Sequence, residues 1–449
     1  MDVIAAVSTA NALSAIGIVR VSGEGCFALC DKVFRPANGR PFSAARPREM
    51  TLGRLLDREG QAIDSCLAVR FPGPGSYTGE DCAEFHCHGS PVVLREALEA
   101  LFAAGARQAG RGEFTKRAFL NGRMDLTQAE AVIDLIESET AQAAHNAVEQ
   151  LSGALRERIE PVYARLLDLA SQFYAVVDYP DEDIEDLRRE DMLRTLAGAE
   201  ETLHALLATF RRGKILRQGV PTAILGRPNV GKSSLLNALL GYDRAIVTDV
   251  AGTTRDTVEE KAAVGGVLLR LIDTAGIRDT GDAVERLGVE RAQRAAESAE
   301  LALLVLDGSQ PLTEEDRAAA EAARTAPRVI VIRNKCDLPQ AADLMPLEAL
   351  PVSAKEGTGL DGLEAAVAAL FPAGEVPPGQ ILTNARQAEA VGRAAEALRG
   401  AREALENGLT PDAALTDTER AMNALGELTG RTLREDLVAR IFERFCVGK

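Results

Sequence analysis

The stretch Gly226-Arg227-Pro228-Asn229-Val230-Gly231-Lys232-Ser233 decides how the middle of this chain of 449 residues folds. It is a full match to the phosphate-binding pattern G-x-x-x-x-G-K-[ST]. The apolar run 222–225 precedes it and the run 234–240 follows it, which predicts the order strand, loop, helix. In that context backbone N–H groups converge on phosphate oxygens, with Lys232 at the β- and γ-phosphates and Ser233 as a ligand of Mg²⁺.

Three further motifs follow in the order that a GTPase requires. Each ends a strand-like run, and they are Asp273-Thr274-Ala275-Gly276, Asn334-Lys335-Cys336-Asp337 and Ser353-Ala354-Lys355. An aspartate at position 337 can accept both N–H groups of guanine, and adenine offers no such pair of donors. The four motifs together predict a GTP-binding domain. A nucleotide-binding fold that has lost its activity is the alternative.

Composition limits the partners and the compartment. The 51 basic and 67 acidic residues give a net charge of −16, so the chain is not a bulk-electrostatic nucleic-acid binder. Any RNA contact requires a local basic patch or the surface of a partner. Seven unevenly spaced cysteines do not suit a disulfide framework. No apolar run reaches membrane-spanning length and no basic segment precedes residues 3–19, so we expect a cytoplasmic protein without a membrane contact.

Residues 1–118 predict a small α/β unit. The strand-like runs are 3–7, 16–21 and 66–71, and a helix is expected over Pro91–Ala104. Histidine and cysteine cluster at 82–88, which raises the question of a metal site. Alternate residues of a strand point to opposite faces, and a second pair at a zinc-like interval is missing, so core or pocket residues are the favoured interpretation.

From residue 112 onward the pattern becomes helical. Thr127-Gln128-Ala129-Glu130 matches a capping box and predicts a helix start. A long helix is expected to reach Tyr174 and to end at the acidic run 178–183, and a further helix is expected to end near the basic run 211–214. Helical periodicity resumes at Asn384, after a Pro-rich linker. The simplest organisation is therefore a helical domain, 119–215 and 381–449, interrupted by an inserted domain, 216–380.

The helix after the phosphate loop and the C-terminal segment carry further local predictions. Gly241 and Gly448 are expected to stop the helices that precede them. Near the C-terminus one helical face carries an apolar stripe made of Leu433, Leu437, Val438, Ile441, Phe442 and Phe445. Cys446 follows this stripe, and from the residues alone an incidental thiol and a functional one both stay open.

The chain resembles the bacterial and organellar tRNA modification GTPases of the MnmE (TrmE) family, which are TrmE-Era-EngA-type GTPases. The resemblance covers nearly the whole chain. It is carried by the stretches 15–23 (AIGIVRVSG), 76–81 (SYTGED), 112–122 (GEFTKRAFLNG), 252–256 (GTTRD), 273–276 (DTAG) and 446–449 (CVGK). Val447 stands where the family usually has Ile. Residues 11–14 read NALS where the family often carries Pro and Gly.

The resemblance implies a homodimer of three-domain protomers: an N-terminal α/β domain, a helical domain and an inserted Ras-like P-loop GTPase domain. The N-terminal domain would dimerise and bind a tetrahydrofolate of the 5-formyl or methylene type through Arg20, Glu80, Arg123 and Lys449. An FAD-containing partner, MnmG (GidA), would join it in a hetero-oligomer. The pair would add an aminomethyl or carboxymethylaminomethyl group at carbon 5 of the wobble uridine, U34, of certain tRNAs. Cys446 then becomes a candidate participant in that chemistry.

The resemblance also implies how GTP is hydrolysed. Ile277 stands where Ras-like proteins place a water-orienting Gln, and Glu285 matches the family's water-positioning acid. K⁺ held by Asn229, Thr248, Val250 and Thr253 would replace an arginine finger. Mg²⁺ would be held by Ser233 and Thr254. The implied nucleotide contacts are Asn229, Val230, Gly231, Lys232, Ser233, Ser234, Thr248, Asp249, Val250, Ala251, Gly252, Thr253, Thr254, Asp273, Thr274, Ala275, Gly276, Asn334, Lys335, Asp337, Ser353, Ala354 and Lys355.

Two other functions are compatible with the GTPase motifs. One is an RNA- or ribosome-associated GTPase switch without modification chemistry, and the other is an interaction scaffold with an inactive site. Intact Lys232, Ser233, Asp273 and Asp337 argue against the scaffold. The N-terminal folate-type motifs and Cys446 distinguish the modification enzyme from the switch.

Overall fold

The structure, a computed structural model, describes residues 2–10, 12–178, 188–242, 260–272, 293–341, 348–372, 376–432, 441–442 and 445–448. The chain divides into two compact units. The first comprises Met1–Ile133, Gln150–Ala199 and Arg393–Lys449, and the second comprises Asp134–Glu149 and Glu200–Gly392. The predicted insertion at 216–380 falls within the second unit, and its boundaries stay predictions.

The first unit is built on a seven-stranded sheet with the order β3-β4-β5-β6-β2-β1-β7. Its strands are β1 (Ile4–Val7), β2 (Ile16–Ser22), β3 (Phe34–Pro36), β4 (Thr51–Leu56), β5 (Ala62–Phe71), β6 (Cys82–His88) and β7 (Arg107–Gln108). Neighbouring strands are antiparallel except β1 and β7, which are parallel. The three predicted strands are confirmed. Strand β2 pairs with β1 on one side and with β6 on the other. Side chains from residues 4–7 and 82–88 therefore lie next to those of β2.

Two helices and a short 3₁₀ turn complete the core of this unit. Helices α1 (Cys26–Val33) and α2 (Pro91–Ala104) pack on the sheet, and α2 has the predicted bounds. The 3₁₀ turn Phe42–Ala44 brings Phe42 against two other rings, with ring centroids 5.6 Å from Phe34 and 6.1 Å from Phe85. In β6, Cys82 and Cys87 are buried in the sheet, so the strand interpretation of that cluster is confirmed.

Helices follow as the sequence predicts. They are α3 (Glu113–Leu120), α4 (Leu126–Ile136), α5 (Ala141–Leu151), α6 (Ala154–Asp178), α7 (Arg189–Leu207), α8 (Phe210–Gln218), α12 (Ala385–Glu406) and α13 (Pro411–Thr429). In the first unit Arg431 donates to both carboxylate oxygens of Glu160 on α6, at 2.7 and 2.8 Å. The basic run 211–214 does not end a helix as predicted, because it lies inside α8. Residues 179–187, which include most of the acidic run, lie outside the described residues.

The capping box of α4 is not the predicted one. Thr127 lies inside the helix, and the cap is formed two residues earlier, by Asp125 together with Gln128. Asp125 Oδ1 accepts the backbone N–H of Gln128 at 2.9 Å, and Gln128 Oε1 accepts the backbone N–H of Asp125 at 2.9 Å. The Thr127 hydroxyl donates to Asp125 Oδ1 at 2.7 Å. The capping-box pattern occurs twice in this stretch, once from Asp125 to Gln128 and once from Thr127 to Glu130. The reciprocal hydrogen bonds show that the first of these forms the cap.

The second unit contains a six-stranded sheet with the order β13-β12-β11-β8-β10-β9. Its strands are β8 (Val220–Leu225), β9 (Glu260–Val264), β10 (Val267–Leu271), β11 (Leu301–Asp307), β12 (Val329–Asn334) and β13 (Leu350–Pro351), and its helices are α9 (Lys232–Tyr242), α10 (Glu314–Ala323) and α11 (Leu360–Leu370). Residues 293–298 are also helical. The pairs from β13 to β10 are parallel, and β9 joins antiparallel. Gly241 does not stop α9, which continues to Tyr242.

The C-terminal segment 445–448 folds against the first unit. Phe442 and Phe445 are buried, with ring centroids 5.0 Å apart, and they pack with Leu126 and Ile133. Gly448 does not stop a helix as predicted. Its φ is 102°, and a Cβ there would lie 2.0 Å from the carbonyl oxygen of Val7, so close backbone approach explains the glycine. Leu433, Leu437 and Val438 of the predicted stripe lie outside the described residues.

Two further observations concern the cysteines and the helices. All seven cysteines are free thiols, as expected from their irregular spacing. Among the helices in the described ranges, none has the length and apolar character needed to cross a bilayer.

Candidate nucleotide and folate sites

Three of the four nucleotide motifs meet at the carboxyl edge of the six-stranded sheet. The phosphate loop (226–233) follows β8, and the Asn334 and Ser353 motifs follow β12 and β13. Register brings these strand ends level, because Asp307 at the end of β11 pairs with Asn334. Parallel strands place their following loops at one edge, and ligands bind there in open α/β sheets. The fourth motif, 273–276, comes two residues after β10 and lies outside the described residues.

Three residues of the phosphate loop have positive φ, and turns of this kind form an anion-binding concavity. Gly226, Asn229 and Gly231 have φ values of 147°, 63° and 97°. A Cβ at Gly226 would lie 2.3 Å from the carbonyl oxygen of Val305, and one at Gly231 would lie 2.2 Å from Nδ2 of Asn334. Both glycines are therefore required by backbone angle and by space. Successive N–H groups in such a turn, followed by the N-terminus of α9, suit a phosphate.

Asn334 connects the phosphate loop to the Ser353 motif. Its Nδ2 donates to the carbonyl oxygen of Val230 at 2.8 Å, and its Oδ1 accepts the backbone N–H of Ala354 at 3.0 Å. The side chain is buried, so both ends of its amide are paired as a buried amide requires. This one side chain holds three loops in register around the nucleotide position.

Two lysines donate hydrogen bonds to backbone carbonyl oxygens of the phosphate loop. Lys335 donates to the carbonyl oxygen of Asn229 at 2.9 Å and to Oδ2 of Asp307 at 2.7 Å. Burial opposes the ionised form of Asp307, but the hydrogen bonds from Lys335 and Ser309, together with the charge of Lys335, outweigh burial and lower the pKa of Asp307. Lys232 donates to the carbonyl oxygens of Gly226 and Arg227 at 2.7 and 2.8 Å, and burial lowers its pKa.

The predicted base-reading residue presents its carboxylate at the surface. Asp337 is exposed, and the hydroxyl of buried Ser353 lowers the pKa of Asp337 by hydrogen bonding. An ionised carboxylate is an acceptor only, which matches the two adjacent N–H donors of guanine. Lys355 is exposed beside it.

Part of the predicted nucleotide site lies outside the described residues. This part includes the candidate hydrolytic acid and several ion ligands, and its members are Thr248, Asp249, Val250, Ala251, Gly252, Thr253, Thr254, Asp273, Thr274, Ala275, Gly276 and Glu285. Ser233 lies in the first turn of α9, and Ser234 follows it at the surface. The roles of all these residues stay predictions.

A second candidate site lies on the seven-stranded sheet around Arg20. Its Nε donates to Oε1 of Glu84 at 2.9 Å, its Nη2 lies 2.9 Å from the same oxygen in an ion pair, and the two residues face each other across β2 and β6. The guanidinium carbon lies 5.2 Å from the ring centroid of Tyr77 and 5.6 Å from that of Phe114. The ion pair and the two rings fix the position of Arg20, since Arg stacks favourably on aromatic faces.

Glu80 lies beside it in a network of charges. Its Oε2 accepts from the Ser22 hydroxyl at 3.1 Å and from Nη1 of Arg117 at 3.0 Å. Ser22 and Arg20 are two residues apart on β2 and so point to one face of the sheet. A Cβ on Gly79 would lie 3.2 Å from Cγ of Arg123, which places the third predicted folate residue next to Glu80.

The C-terminal segment 445–448 reaches the same unit near β1. The Ser8 hydroxyl donates to the carbonyl oxygen of Gly448 at 2.9 Å, and Val447 forms a β-bridge with Arg111. The backbone N–H of Gly112 donates to the carbonyl oxygen of Cys446 at 3.2 Å, and the Cys446 side chain is exposed. Since Val7 pairs with Val19, the segment ends close to the strand that carries Arg20. Lys449 lies outside the described residues.

Sequence reasoning missed two charged residues that organise these sites. Asp307 anchors Lys335, and its position after the apolar run 301–306 is the same signal that marked the neighbouring motifs. Arg117 is almost fully buried and contacts Glu80, Glu113 and Asp2. Nothing local marks Arg117, because two of its three partners are distant in sequence.

Comparison with known proteins agrees across the chain. Residues 126–446 match the MnmE helical domain, and residues 3–123 match the N-terminus of the GTP-binding protein TrmE. The chain is 43% identical over 455 residues to the tRNA modification GTPase MnmE of Streptococcus gordonii, 44% identical over 455 residues to that of Symbiobacterium thermophilum, and 45% identical over 456 residues to that of Syntrophotalea carbinolica. Each alignment covers 100% of this chain and 99% of the relative.

Proposed function

Because this chain belongs to the MnmE family of tRNA modification GTPases, we propose that it couples potassium-dependent GTP hydrolysis to modification of the wobble uridine, U34, of certain tRNAs. It acts as a homodimer with the FAD-containing partner MnmG. Together they add an aminomethyl or carboxymethylaminomethyl group at carbon 5. The inserted Ras-like P-loop domain, 216–380, binds GTP, and the N-terminal domain, 1–118, binds a tetrahydrofolate of the 5-formyl or methylene type.

The observation that carries the GTPase part is the clamp made by Asn334. It joins the phosphate loop to the Ser353 motif through bonds of 2.8 and 3.0 Å, while Asp337 presents an acceptor for guanine at the same sheet edge. A phosphate cradle and a guanine-reading acceptor on one rigid edge suit a guanine nucleotide better than an adenine nucleotide.

The residues present suit the two metal ions. Ser233 offers a hydroxyl oxygen at the start of α9, where Mg²⁺ meets the phosphates in P-loop proteins. Asn229, whose φ is 63°, lies inside this loop, and its side chain carries an amide oxygen of the kind that K⁺ takes as a ligand. Bound there, K⁺ would supply positive charge between the β- and γ-phosphates. Asn229, Thr248, Val250 and Thr253 would hold it, Ser233 and Thr254 would hold Mg²⁺, and Glu285 would orient the attacking water.

The folate part depends on the juxtaposition of Arg20, Glu80 and Arg123 in the first unit. Arg20 offers a positioned cation with aromatic neighbours, which suits a flat ligand that carries acceptors. Glu80 offers an acceptor for ligand N–H groups, and Lys449 would add a second cation. Cys446 is exposed, and its backbone carbonyl oxygen accepts the N–H of Gly112 just before α3, so its thiol is accessible to a substrate.

The test is mass analysis of tRNA wobble uridines in a bacterial strain that lacks its own protein of this family. Complementation with this chain should restore the C5-modified uridine, and complementation with Cys446→Ser should not. The purified Cys446→Ser protein should still hydrolyse GTP, because the phosphate loop is unaltered. An unmodified U34 with the unaltered chain would instead support the GTPase switch without modification chemistry.

A further inference from the structure

A buried arginine, Arg117 on α3, lies at the centre of the charge network behind the folate-type site. Its side chain is 4% exposed. Nη1 donates to the backbone carbonyl of Asp2 at 2.8 Å and to Oε2 of Glu80 at 3.0 Å. Nη2 donates to Oδ1 of Asp2 at 2.8 Å and to Oε1 of Glu113 at 3.1 Å. A guanidinium with four acceptors in its plane is held in one orientation.

The two oxygens of Glu80 are in different situations. Oε2 receives both Arg117 and the hydroxyl of Ser22, which is itself 2.8 Å from the Thr78 hydroxyl. Within the part of the chain that the structure describes, Oε1 accepts no hydrogen bond. The carboxylate is therefore held through one oxygen, and the other oxygen can still accept a hydrogen bond from a further donor.

The network also keeps Arg117 charged. Burial works against the cation, but hydrogen bonds to Glu80 and Glu113 outweigh burial and raise the pKa of Arg117. Arg107 lies on the outer side of the network, where it donates to Glu113 at 2.6 and 2.8 Å and also contacts Asp2. It makes no contact with Glu80 within the described residues, so it belongs to the same network without touching the proposed ligand residue.

We propose that Arg117 is a positioning residue for the folate-type site, which it serves by holding Oε2 of Glu80 so that Oε1 faces the ligand's N–H donors. This inference rests on the proposed folate function. Ser22 is the second holder of Oε2. Arg117 does not touch the ligand, and its whole effect on binding passes through Glu80.

The experiment is a double-mutant cycle on the full chain, with binding of 5-formyltetrahydrofolate measured by calorimetry. Arg117→Met should weaken binding about tenfold or more, because Glu80 loses its charged donor. Arg117→Lys should recover most of the affinity, to within about threefold, since an ammonium can still donate to Oε2. Arg107→Met is the matched control and should stay within about twofold.

The cycle separates positioning from a general structural role. If Arg117 acts through Glu80, then Glu80→Gln weakens binding strongly alone but little in the Arg117→Met background. Strictly additive losses, or an Arg117→Met protein that binds as the parent does, would overturn the inference. Thermal unfolding of each variant shows whether it is folded. Should Arg117→Met fail to fold, Ser22→Ala replaces it, with an expected loss of about threefold to tenfold, and unchanged binding by Ser22→Ala then counts against the proposal.

Failure of the underlying function gives a different result. A parent chain that does not bind the folate, or a Glu80→Gln variant that binds as well as the parent, removes the folate assignment and the inference with it. In a third outcome the parent binds the folate, Glu80→Gln weakens this binding and Arg117→Met does not change it. That outcome supports the folate site and contradicts only the inference about Arg117.

Discussion

Nδ2 of Asn334 donates to the backbone carbonyl oxygen of Val230 at 2.8 Å, and the bond joins residues 104 positions apart in the sequence. The first belongs to the guanine-reading motif and the second to the phosphate loop. The two halves of the nucleotide site therefore share one side chain, and a change at Asn334 reaches both.

Asn334→Ala should weaken binding of a fluorescent guanine nucleotide about tenfold or more, because a buried amide hydrogen bond and its orphaned partners cost about 1–3 kcal/mol. The measurement is the dissociation constant from fluorescence titration. Asn237→Ala is the control, since Asn237 is an exposed residue of α9 in the same unit. Equal losses in the two variants would contradict the clamp.

Asp337 should determine which base is bound. Guanine has an exocyclic amino group that hypoxanthine lacks, so the unaltered protein should prefer GTP to ITP by about tenfold or more. Asp337→Ala should bind GTP more weakly and lose most of this preference, because its acceptor is gone. The check is competition between the two nucleotides, with exposed Asp361→Ala on α11 as the control. A preference that survives in Asp337→Ala would assign base reading elsewhere.

The proposed cation site predicts that GTP hydrolysis is much faster in KCl than in NaCl at equal ionic strength. A cation of the right size offsets the charge that develops between the β- and γ-phosphates, as an arginine finger does elsewhere. The measurement is phosphate release under saturating GTP.

Glu285→Ala serves as the companion variant for this experiment. It should lose turnover in both salts and keep nucleotide binding, since its proposed task is to orient water. Equal parent rates in KCl and NaCl would refute the cation site, and lost nucleotide binding in Glu285→Ala would assign that residue a structural task.

Acid should destabilise the first unit through Glu113. Burial opposes its ionisation, but the hydrogen bonds from Arg107, Gly110 and Arg117 lower its pKa from 4.5 to about 2. A depressed carboxyl pKa contributes stability above the unfolded value of 4.5, and this contribution is lost as the pH falls toward about 2.

The shift corresponds to stabilisation on the order of 2–3 kcal/mol. Glu113→Gln should therefore unfold at a lower temperature than the parent at neutral pH, and the difference should shrink as the solution is acidified. Thermal unfolding followed by circular dichroism across this range is the check. A gap between parent and variant that stays constant with pH would contradict the assignment.

Local signals explain why most elements could be predicted. The strand, loop and helix around 226–233 are each specified within a few residues. The later motifs could be assigned in the same way, because each follows its own apolar run. The N-terminal strands and the helix Pro91–Ala104 were equally local. The relation to the MnmE family depended on motifs spread along the whole chain, and it is confirmed by the relatives.

Some errors arose where two local options differ little in free energy, and others arose where contacts distant in sequence decide between local options. A glycine inside a helix costs only about 1 kcal/mol, so Gly241 could remain within α9. Gly448 looked like a helix stop, but the carbonyl oxygen of Val7 is what requires it. Two capping patterns overlap near Thr127, and only the hydrogen bonds distinguish them. The Asn334 clamp and the role of Arg117 were not predicted, because their hydrogen-bond partners are distant in the sequence.

The contact between Gly448 and Val7 has a consequence for how the protein is made. Strand β1 leaves the ribosome well before the residues that cover its end, which follow more than four hundred codons later. During translation the amide of Gly112 and the hydroxyl of Ser8 stay without these partners, and the first unit reaches its finished form after the phosphate loop has already been synthesised. A product truncated before residue 445 would thus contain the phosphate loop but would lack the segment that completes the first unit.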